Sequence, residues 1–415
     1  KPKKIIFWSL VFLLTNIIGG IIYSLIKFST YKKRASLLKK EQEDLVYDGL
    51  INKSLSKNNV STDDELFAFN KLAFGSNLTT KNSVEIINCY SKFVESLIKD
   101  LNWAKKYVIF EVTKINVGNF TKIKEALISK AQEGIDVKFV YEDYVPFSFI
   151  KELKKAGVKT YKFSRYSAEH IYANRRNIIT IDGSISYFGN FYIKTSQIQQ
   201  KVHSANMYLR LKGEIVQDID VAVHKDTVFA SGKFVDYAGK FDATTSVCNT
   251  QYISNEISND IELMLTKAIC GAKSSIQLLL TQFIPTENIL SLLKYAINSN
   301  IQVRLMVPLK SDLNSKCFAS RAYAKELALA GADVYLYDGY IRFNSVVVDG
   351  KYAYTGSFVF DREYLKSSLQ NVLVLENEKV VNHLNKFFDV CVENSYRINN
   401  AKYMLIREKF FKNFV

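Results

Sequence analysis

The sequence contains few of the residues that mark specialised classes of protein. It has four prolines and 17 glycines among 415 residues, which excludes collagen and proline-rich linkers. Its five cysteines are odd in number, widely scattered and without a CxxC pair. This pattern argues against a disulfide scaffold or a zinc site and is typical of a reducing compartment, so we expect no metal and no cofactor.

The middle of the chain also has little net charge, although the whole chain carries +15. Residues 1–40 contain nine Lys/Arg and no Asp/Glu, and residues 401–415 contain four Lys/Arg and one Glu. The remaining 360 residues therefore carry only +3. A basic face that binds nucleic acid is spread over the folded domain. The position of the charge thus argues against nucleic acid as a partner.

One long hydrophobic run is present, at residues 5–26, and it contains no charged residue. As a helix with a rise of about 1.5 Å per residue it reaches roughly 33 Å, enough to cross a bilayer. The alternative is a signal peptide, but no small-x-small cleavage site precedes the polar region. More basic residues follow the run than precede it, so we expect a cell-membrane protein whose bulk faces the cytoplasm. Residues 27–82 are predicted to form a juxtamembrane helix and a linker.

The rest of the chain contains an internal duplication. NIITIDGSISYFGN at 177–190 matches NSVVVDGKYAYTGS at 344–357, an offset of 167 residues. Three further pairs follow the same order at offsets of 166 to 174: 104–106 with 272–274, 134–143 with 300–309, and 151–163 with 325–337. The alternative, two unrelated α/β domains in tandem, does not explain four matches in one order.

Each copy alternates helical patterns with short β-rich runs such as VKFVY and VRLMV. Such alternation predicts a largely parallel sheet that is covered by helices on both faces. We therefore predict an α/β fold of two tandem domains, at residues 83–238 and 241–415, packed about a pseudo-twofold axis. A site at their seam would take matching residues from each copy.

The two matching strand-turn-strand segments resemble the paired signature of the phospholipase D superfamily, His-x-Lys, four residues, Asp, then a turn and Gly-Ser or Gly-Gly. More specifically, the chain resembles bacterial cardiolipin synthases. Further likeness lies in YLRLKGEIVQDI at 208–219, TQFIP at 281–285 and VRLMVPLKSD at 303–312. The resemblance implies two phospholipase D-like domains, a membrane location, and anionic phospholipids as partners, namely phosphatidylglycerol and cardiolipin.

Both copies of the signature have changed in the same way, from His-x-Lys to Arg-x-Asn. The motif positions, in the order His, Lys and Asp, are Arg175, Asn177 and Asp182 in the first copy and Arg342, Asn344 and Asp349 in the second. The glycines that follow, Gly189 and Gly356, are retained. A residue-by-residue comparison with the family therefore leaves no catalytic residue intact.

The chemistry of the family requires the residues that are missing. In the family, one histidine attacks the phosphorus and the other donates and later accepts a proton, while the lysines hold the phosphoryl oxygens. Arginine stays protonated below a pH of about 12, so it serves neither histidine role, and asparagine carries no charge. His170 lies five residues before Arg175 and is the one candidate near the seam that could replace a missing histidine. The alternative is that it lies in an exposed loop. His203, His224 and His383 are predicted at surface helices or loops.

The arginines can still bind an anion. If the family geometry holds, Arg175 and Arg342 face each other across the seam and form a fork that suits a phosphate or phosphodiester. The phosphate-binding candidates are Arg175, Arg342, Asn177, Asn344, Asn190 and Ser357. The alternative is that the arginines pair with Asp182 and Asp349, which we expect to approach each other at the seam.

Three functions stay open. The preferred hypothesis is a catalytically inactive cardiolipin-synthase-like protein that binds anionic phospholipid, partners an active paralogous synthase, or forms a homo-oligomer. The second is an active cardiolipin synthase with an altered mechanism, and the third is a nucleic-acid phosphodiesterase. The missing histidines argue against the second and the third. The basic, aromatic tail at residues 401–415 is predicted to be either an interfacial membrane helix or a helix packed onto the second copy.

Overall fold

The computed structural model describes residues 62–163, 173–192, 203–233, 244–255, 260–311, 314–365 and 368–398, together with some positions in 18–60 and 408–412. Within this described part, no helix is long and apolar enough to cross a membrane. Residues 5–17 of the predicted membrane helix lie outside the described residues, as does His170.

The first half of the molecule follows one repeat of the sequence. In chain order it contains β1 (Asn82–Ile87), α2 (Tyr90–Asn102), β2 (Tyr107–Lys114), α3 (Thr121–Gln132), β3 (Asp136–Tyr144), α4 (Phe147–Lys155), β4 (Lys159–Lys162), β5 (Ile178–Ile181), β6 (Ile185–Gly189), β7 (Ser204–Ala205), β8 (Tyr208–Gly213) and α5 (Ile215–Ser231). Helix α1 (Glu65–Phe74) precedes it.

The second half follows the other repeat. In chain order it contains β9 (Asn249–Asn255), α6 (Asp260–Cys270), β10 (Ser275–Leu279), β11 (Phe283–Ile284), α7 (Glu287–Asn298), β12 (Gln302–Pro308), α8 (Asn314–Leu329), β13 (Asp333–Tyr337), β14 (Tyr340–Ile341), β15 (Asn344–Val348), β16 (Tyr352–Gly356), β17 (Phe360–Asp361), β18 (Gln370–Glu376), α9 (Glu378–Glu393) and β19 (Ser395–Arg397).

The two large sheets have the same topology. The first runs β1-β8-β6-β5-β2-β3-β4, and the second runs β9-β18-β16-β15-β10-β12-β13-β19. The seven strands of the first sheet have counterparts in the same order in the second, which adds β19 at its edge, and this confirms the predicted pair of tandem α/β domains. The prediction of a largely parallel sheet is wrong, because in the described part of the two large sheets parallel pairing is confined to β2-β3-β4 and β10-β12-β13. In each half the strands that return through the hairpin run antiparallel.

Helices cover both faces of each sheet. Helices α2, α3 and α4 pack on the outer face of the first sheet, and α6, α7 and α8 pack on the second. Helices α5 and α9 lie between the sheets, in one cluster that contains Ile109 of the first sheet and Leu279 of the second. Because both faces are covered, β5 and β15 are buried along their whole length. The exact boundaries 83–238 and 241–415 stay predictions, since 234–243 lie outside the described residues.

Helix α1 lies in the segment that the sequence analysis treated as a linker. The Asp64 side chain accepts hydrogen bonds from the backbone N–H groups of Leu66 and Phe67, and Gly75 ends the helix in the left-handed conformation at a φ of 67°. Asn70 of this helix donates to Gln251 of the second half at 2.9 Å. The chain therefore packs against the second half before it enters the first.

The described residues of the C-terminal tail contact helix α8. Phe411 stacks on Phe318 with ring centroids 5.7 Å apart, and Glu408 lies 2.6 Å from Lys325. Glu408 is only 2% exposed. For these positions the contacts agree with the alternative in which the tail packs onto the second copy.

Candidate functional site

The two halves meet through the segments that lead into β5 and β15. Strand β7 of the first half pairs in parallel with β14 of the second. The backbone N–H of Arg342 donates to the carbonyl of Ala205 at 2.8 Å, and that of Arg175 donates to Leu369 at 2.9 Å. Because each bond crosses from one half to the other, both arginine positions are fixed at the seam.

A cavity of about 380 Å³ lies at this seam. Its volume is near the lower end of the range for small-molecule pockets, about 300–1,000 Å³. The lining contains all six predicted phosphate-binding candidates, Arg175, Asn177, Asn190, Arg342, Asn344 and Ser357. The fold therefore brings matching residues from both repeats to one place.

The wall of the cavity is positively charged. Besides Arg175 and Arg342 it contains Lys114 and Lys310, and the described lining residues include no Asp, Glu or His. Lys310 lies 3.2 Å from Asp338. In the described part of the chain, Lys114 and Arg175 have no ion-pair partner. A cleft lined by charges of one sign concentrates the field and attracts ligands of opposite charge.

Sequence reasoning missed the two lysines. Lys114 is the last residue of β2, and Lys310 follows the end of β12. Ligands of α/β sheets bind outside the carboxyl ends of parallel strands. Applied to the predicted strands, this rule would have predicted that both lysines lie at the site.

Tyrosine rings position the two arginines. The guanidinium carbon of Arg175 lies 3.6 Å from the ring centroid of Tyr364, which belongs to the second half. The guanidinium carbon of Arg342 lies 5.6 Å from the ring of Tyr192 in the first half and 4.8 Å from that of Tyr340. Each arginine therefore makes a cation–π contact with a ring from the opposite half.

The asparagines at the former lysine positions are tied to the cavity wall. Asn177 accepts the backbone N–H of Thr113 at 3.1 Å and donates to the carbonyl of Arg175 at 3.1 Å. Asn344 accepts the N–H of Thr281 at 2.8 Å and donates to the carbonyl of Phe358 at 2.5 Å. One amide hydrogen of each side chain is thus committed to the backbone, which leaves the arginines as the main anion-binding groups.

Comparisons with known proteins agree with this architecture. The family model described as "Cardiolipin synthase, PLD-like domain" matches residues 265–392. The chain is 28% identical to the cardiolipin synthase of Oceanobacillus iheyensis over 345 residues, which is 78% of this chain and 72% of that protein. It is also 28% identical to the major cardiolipin synthase of Bacillus subtilis, over 85% of this chain and 80% of the other. These matches support the phospholipase D superfamily and, within it, the cardiolipin synthase family.

The fold comparison extends over most of the chain. The crystal structure of phosphatidylserine synthase from Haemophilus influenzae superposes with a TM-score of 0.60, at 10% identity, and covers 80% of this chain and 92% of that one. At this identity the likeness shows the fold alone. The superposition therefore supports the fold of two tandem α/β domains, and the likeness to cardiolipin synthases rests on the sequence matches.

The aspartates of the phospholipase D signature lie away from the cavity. Asp182 and Asp349 occupy the hairpin turns at the far ends of β5 and β15, each with a φ of 54°. Asp182 accepts backbone N–H groups from 105–107, at 2.7 to 2.8 Å. Asp349 accepts those of 273–275, at 2.7 to 3.1 Å. The expectation that the two aspartates approach each other at the seam is wrong, and so is the alternative that they neutralise the arginines.

These aspartates are therefore predicted to support the fold. Replacing Asp349 by alanine should lower the free energy of unfolding by about 1–2 kcal/mol, because three backbone N–H groups lose a charged acceptor in a partly solvated turn. Asp also tolerates a positive φ better than alanine does. Denaturant unfolding measures the loss, and Asp349→Asn is the matched control because it tolerates the turn conformation and keeps one acceptor oxygen.

The stability lost in the Asp349→Ala variant should also depend on pH. Burial would raise the pKa of Asp349, but the hydrogen bonds from the backbone of Ser275, Ser274 and Lys273 outweigh it and lower the pKa below 3.8. The stabilisation is therefore present above the unfolded pKa and is lost as the pH falls through the folded pKa. The difference between wild type and Asp349→Ala should be constant above about pH 5 and shrink below pH 4. A difference that grows on acidification would contradict the assignment.

No histidine replaces those of the signature within the described residues. His203 is exposed, and its carbonyl accepts the N–H of Tyr340. His383 lies 2.8 Å from Asn88 at the surface. His224 is buried in α5, against the ring of Tyr107, so its predicted surface position is wrong. None of the three lines the cavity.

A buried cluster of charges lies behind the first arginine position. Arg176 lies 2.6 Å from Asp226, and Lys40 lies 3.1 Å from the other oxygen of the same carboxylate. Arg176 also donates to Ser254 of the second half at 2.5 Å. All three charged residues are at most 1% exposed. The cluster therefore joins the N-terminal segment to both halves of the molecule.

A second carboxyl group belongs to this cluster. Glu111 accepts a hydrogen bond from Asn174. Burial and the negative charge of Asp226 raise the pKa of Glu111 well above its usual range, which favours the protonated form. Burial would raise the pKa of Asp226 as well, but Arg176 and Lys40 hold it at about 2. Glu111 is therefore expected to be protonated and neutral beside the ionised carboxylate of Asp226.

Proposed function

We propose that this protein is a cardiolipin-synthase-like protein without phosphatidyl-transfer activity, and that its cavity binds the headgroup of an anionic phospholipid. The observation that carries the proposal is the lining of the cavity at the seam. It contains four cationic side chains, and its described residues include no histidine and no carboxylate. A wall of this kind attracts a phosphodiester but lacks histidine, the residue that serves as both the nucleophile and the general acid of the family.

The balance of charge supports an anionic ligand. Guanidinium groups that are partly withdrawn from water repel each other and lose hydration, and an anion between them relieves both costs. Arg342 is 8% exposed and Arg175 is half-buried. Asp182 and Asp349 are bonded elsewhere, so they do not serve as the counterions. A planar guanidinium also matches the oxygens of a phosphodiester with two parallel hydrogen bonds.

The ligand is proposed to be a lipid because the N-terminal segment has the pattern of a membrane anchor. The hydrophobic run at residues 5–26 and the basic residues that follow it favour a membrane anchor with the two domains at the cytoplasmic surface. Phosphatidylglycerol and cardiolipin are anionic phospholipids that this location would supply. An active paralogous synthase or a homo-oligomer as partner stays a prediction.

Removing both arginines should weaken headgroup binding. With deacylated phosphatidylglycerol as a soluble probe, Arg175→Ala combined with Arg342→Ala is expected to lower the affinity at least tenfold, since each charge-assisted hydrogen bond contributes about 1.5 kcal/mol or more. Isothermal titration calorimetry on the detergent-solubilised chain measures the change. The matched control is Lys154→Ala with Lys155→Ala, which removes two exposed charges outside the cavity.

The soluble probe makes it unnecessary to remove the basic termini, which would bind anionic vesicles by themselves. Truncation at residues 40 and 401 would delete Lys40 and Glu408, and both are buried in contacts with the domains. The intact chain is therefore the correct material. Equal affinities of wild type and the double arginine variant would overturn the proposal.

A further inference from the structure

We infer that Lys40 regulates the cavity from behind its wall. When the ammonium group of Lys40 is seated in the buried charge cluster of Glu111, Arg176 and Asp226, the segment 174–177 is held in the position that binds an anion, and withdrawal of Lys40 loosens this segment. The inference rests on the proposed function and concerns the regulation of the same site. The regulating element is the N-terminal segment of the chain itself.

The segment 174–177 has two faces with different surroundings. Arg175 and Asn177 line the cavity. Asn174 and Arg176 are 2% and 1% exposed, and they contact the buried charge cluster instead. Successive side chains of extended backbone lie on opposite faces, so the cluster and the cavity share one stretch of chain. A shift of the buried face therefore moves the cavity face with it.

Asn174 is the main link between the cluster and this segment. Its side-chain amide donates to Glu111 and lies 3.4 Å from Oδ2 of Asp226. Its backbone N–H donates to Glu142 at 2.7 Å, and its side-chain oxygen accepts the backbone N–H of Arg176 at 2.9 Å. The backbone is thus bonded to buried groups on both sides of the arginine that lines the cavity.

Lys40 holds the other side of the central carboxylate. Its Nζ lies 3.1 Å from Oδ1 of Asp226. Arg176 and Asn174 contact Oδ2 instead. Asp226 is 0% exposed, so a carboxylate oxygen that loses its cation is costly to keep in place. After withdrawal of Lys40 the carboxylate lowers this cost by turning or by admitting water, and either change weakens the bonds of Oδ2 that fix the segment 174–177.

The second repeat provides an internal comparison. At the offset of 167 residues, Ile341 and Phe343 stand where the first repeat has Asn174 and Arg176. Both are buried in the apolar layer between the sheets. Apolar packing thus supports the second motif, and its position should not depend on Lys40.

The place of Lys40 in the chain suits a regulatory role. Residues 27–40 connect it to the hydrophobic run at 5–26. These residues span at most roughly 46 Å when extended, at about 3.3 Å per residue. A movement of the predicted membrane anchor at the bilayer surface can therefore reach the cluster.

Hydrogen exchange on the intact, detergent-solubilised protein tests this coupling. Lys40→Met keeps a long side chain and removes its charge. The backbone amides of 174–176 should exchange at least about fivefold faster in this variant, the lower end of couplings between linked sites. The amides of Tyr340 and Arg342, which bond carbonyls of the first half, should be unchanged. Deacylated phosphatidylglycerol should bind at least about fivefold more weakly in titration calorimetry.

The matched control variant is Lys325→Met. Lys325 lies on α8, and its Nζ is 2.6 Å from Glu408 of the C-terminal tail. This variant also removes a lysine that joins a terminal segment to a domain, but it does so away from the cluster. It should leave the exchange of 174–176 and the affinity unchanged.

The unmodified protein provides a second test, which does not depend on the folding of a variant. Coupling between two sites is reciprocal, so an anion in the cavity must favour the seated form of Lys40. Lys40 is 0% exposed, and an acylating reagent reaches its amine only while it is withdrawn. Saturating deacylated phosphatidylglycerol should slow the acylation of Lys40, measured by mass spectrometry, at least about fivefold. The acylation of the exposed Lys154 should not change.

The outcomes separate this coupling from general stability and from the proposed function. Unchanged exchange at 174–176 in Lys40→Met, or an equal increase at Tyr340 and Arg342, would overturn the inference. Acylation of Lys40 that is insensitive to bound deacylated phosphatidylglycerol would overturn it as well. If the wild type does not bind this probe, the proposed function fails, whereas faster exchange confined to 174–176 would still support the link between Lys40 and the cavity wall.

Discussion

Incubated with phosphatidylglycerol, the purified protein is expected to form no detectable cardiolipin and to release no glycerol. General acid–base catalysis alone contributes about 10²- to 10⁴-fold to a rate, and the nucleophile is missing as well. Arg175 and Arg342 occupy both histidine positions at the seam, and a guanidinium group neither attacks phosphorus nor exchanges a proton at neutral pH. Residual binding energy does not replace a lost mechanism.

The assay is performed in detergent beside an active relative such as the major cardiolipin synthase of Bacillus subtilis. Cardiolipin formation by the unmodified protein at a comparable rate would contradict the proposal. The matched negative control is Arg175→Gln with Arg342→Gln, which removes the charge without introducing a nucleophile and should stay inactive.

Restoring the signature is expected to revive activity only in part. The required changes are Arg175→His, Asn177→Lys, Arg342→His and Asn344→Lys together. Asn177 and Asn344 accept the backbone N–H groups of Thr113 and Thr281, and lysine offers no acceptor in their place. Two backbone groups in the cavity wall therefore lose their partners, which should leave the restored lysines poorly oriented. Activity that appears with the four changes but not with the two histidines alone would support this assignment of roles.

Replacing Arg176 by leucine is expected to lower the free energy of unfolding by about 3–5 kcal/mol, the usual cost of removing one partner of a buried ion pair. Asp226 is fully buried, and among the described residues its remaining counterion would be Lys40, which is also paired with Asp44. The hydrogen bond to Ser254, which joins the halves, is lost at the same time. Denaturant unfolding monitored by circular dichroism measures the change.

The second half indicates which substitution should recover the stability. Phe343 stands where the first repeat has Arg176, and Leu279 stands where it has Glu111. Both are buried in the apolar layer between the sheets. The double variant Arg176→Met, Asp226→Leu should therefore regain most of the loss, because it removes the Arg176–Asp226 pair and leaves Lys40 paired with Asp44. A double variant less stable than the single one would contradict this account.

The control for these measurements is Arg397→Ala. Arg397 is paired with Asp333 on the edge strand, and its side chain is 59% exposed. Pairs of this kind contribute about 0–1 kcal/mol, so the loss should stay within that range. A comparable loss at Arg397 and Arg176 would show that burial is not the cause.

The sequence by itself determined the repeat and therefore the class of fold. The segments 177–190 and 344–357 match closely because both form the same hairpin, whose first strand is buried along its whole length and is therefore rich in β-branched apolar residues. Sequence comparison also identified the lost histidines, since the chemistry of a side chain is a property of its residue type. It predicted that Arg175 and Arg342 meet at a seam only through the resemblance to a family.

Only the tertiary structure decided what surrounds these residues. Asp182 and Asp349 share a motif with the arginines. A rise of about 3.3 Å per residue nevertheless places each aspartate at the opposite end of its strand, away from the cavity. The rings of Tyr364 and Tyr192 reach the arginines across the seam, and Lys40 reaches Asp226 from a segment outside both repeats. Local patterns contain no information about contacts between distant segments, because such contacts depend on how the two halves pack. The sequence therefore determined which chemistry is missing, and the packing of the halves decided which charges face the cavity.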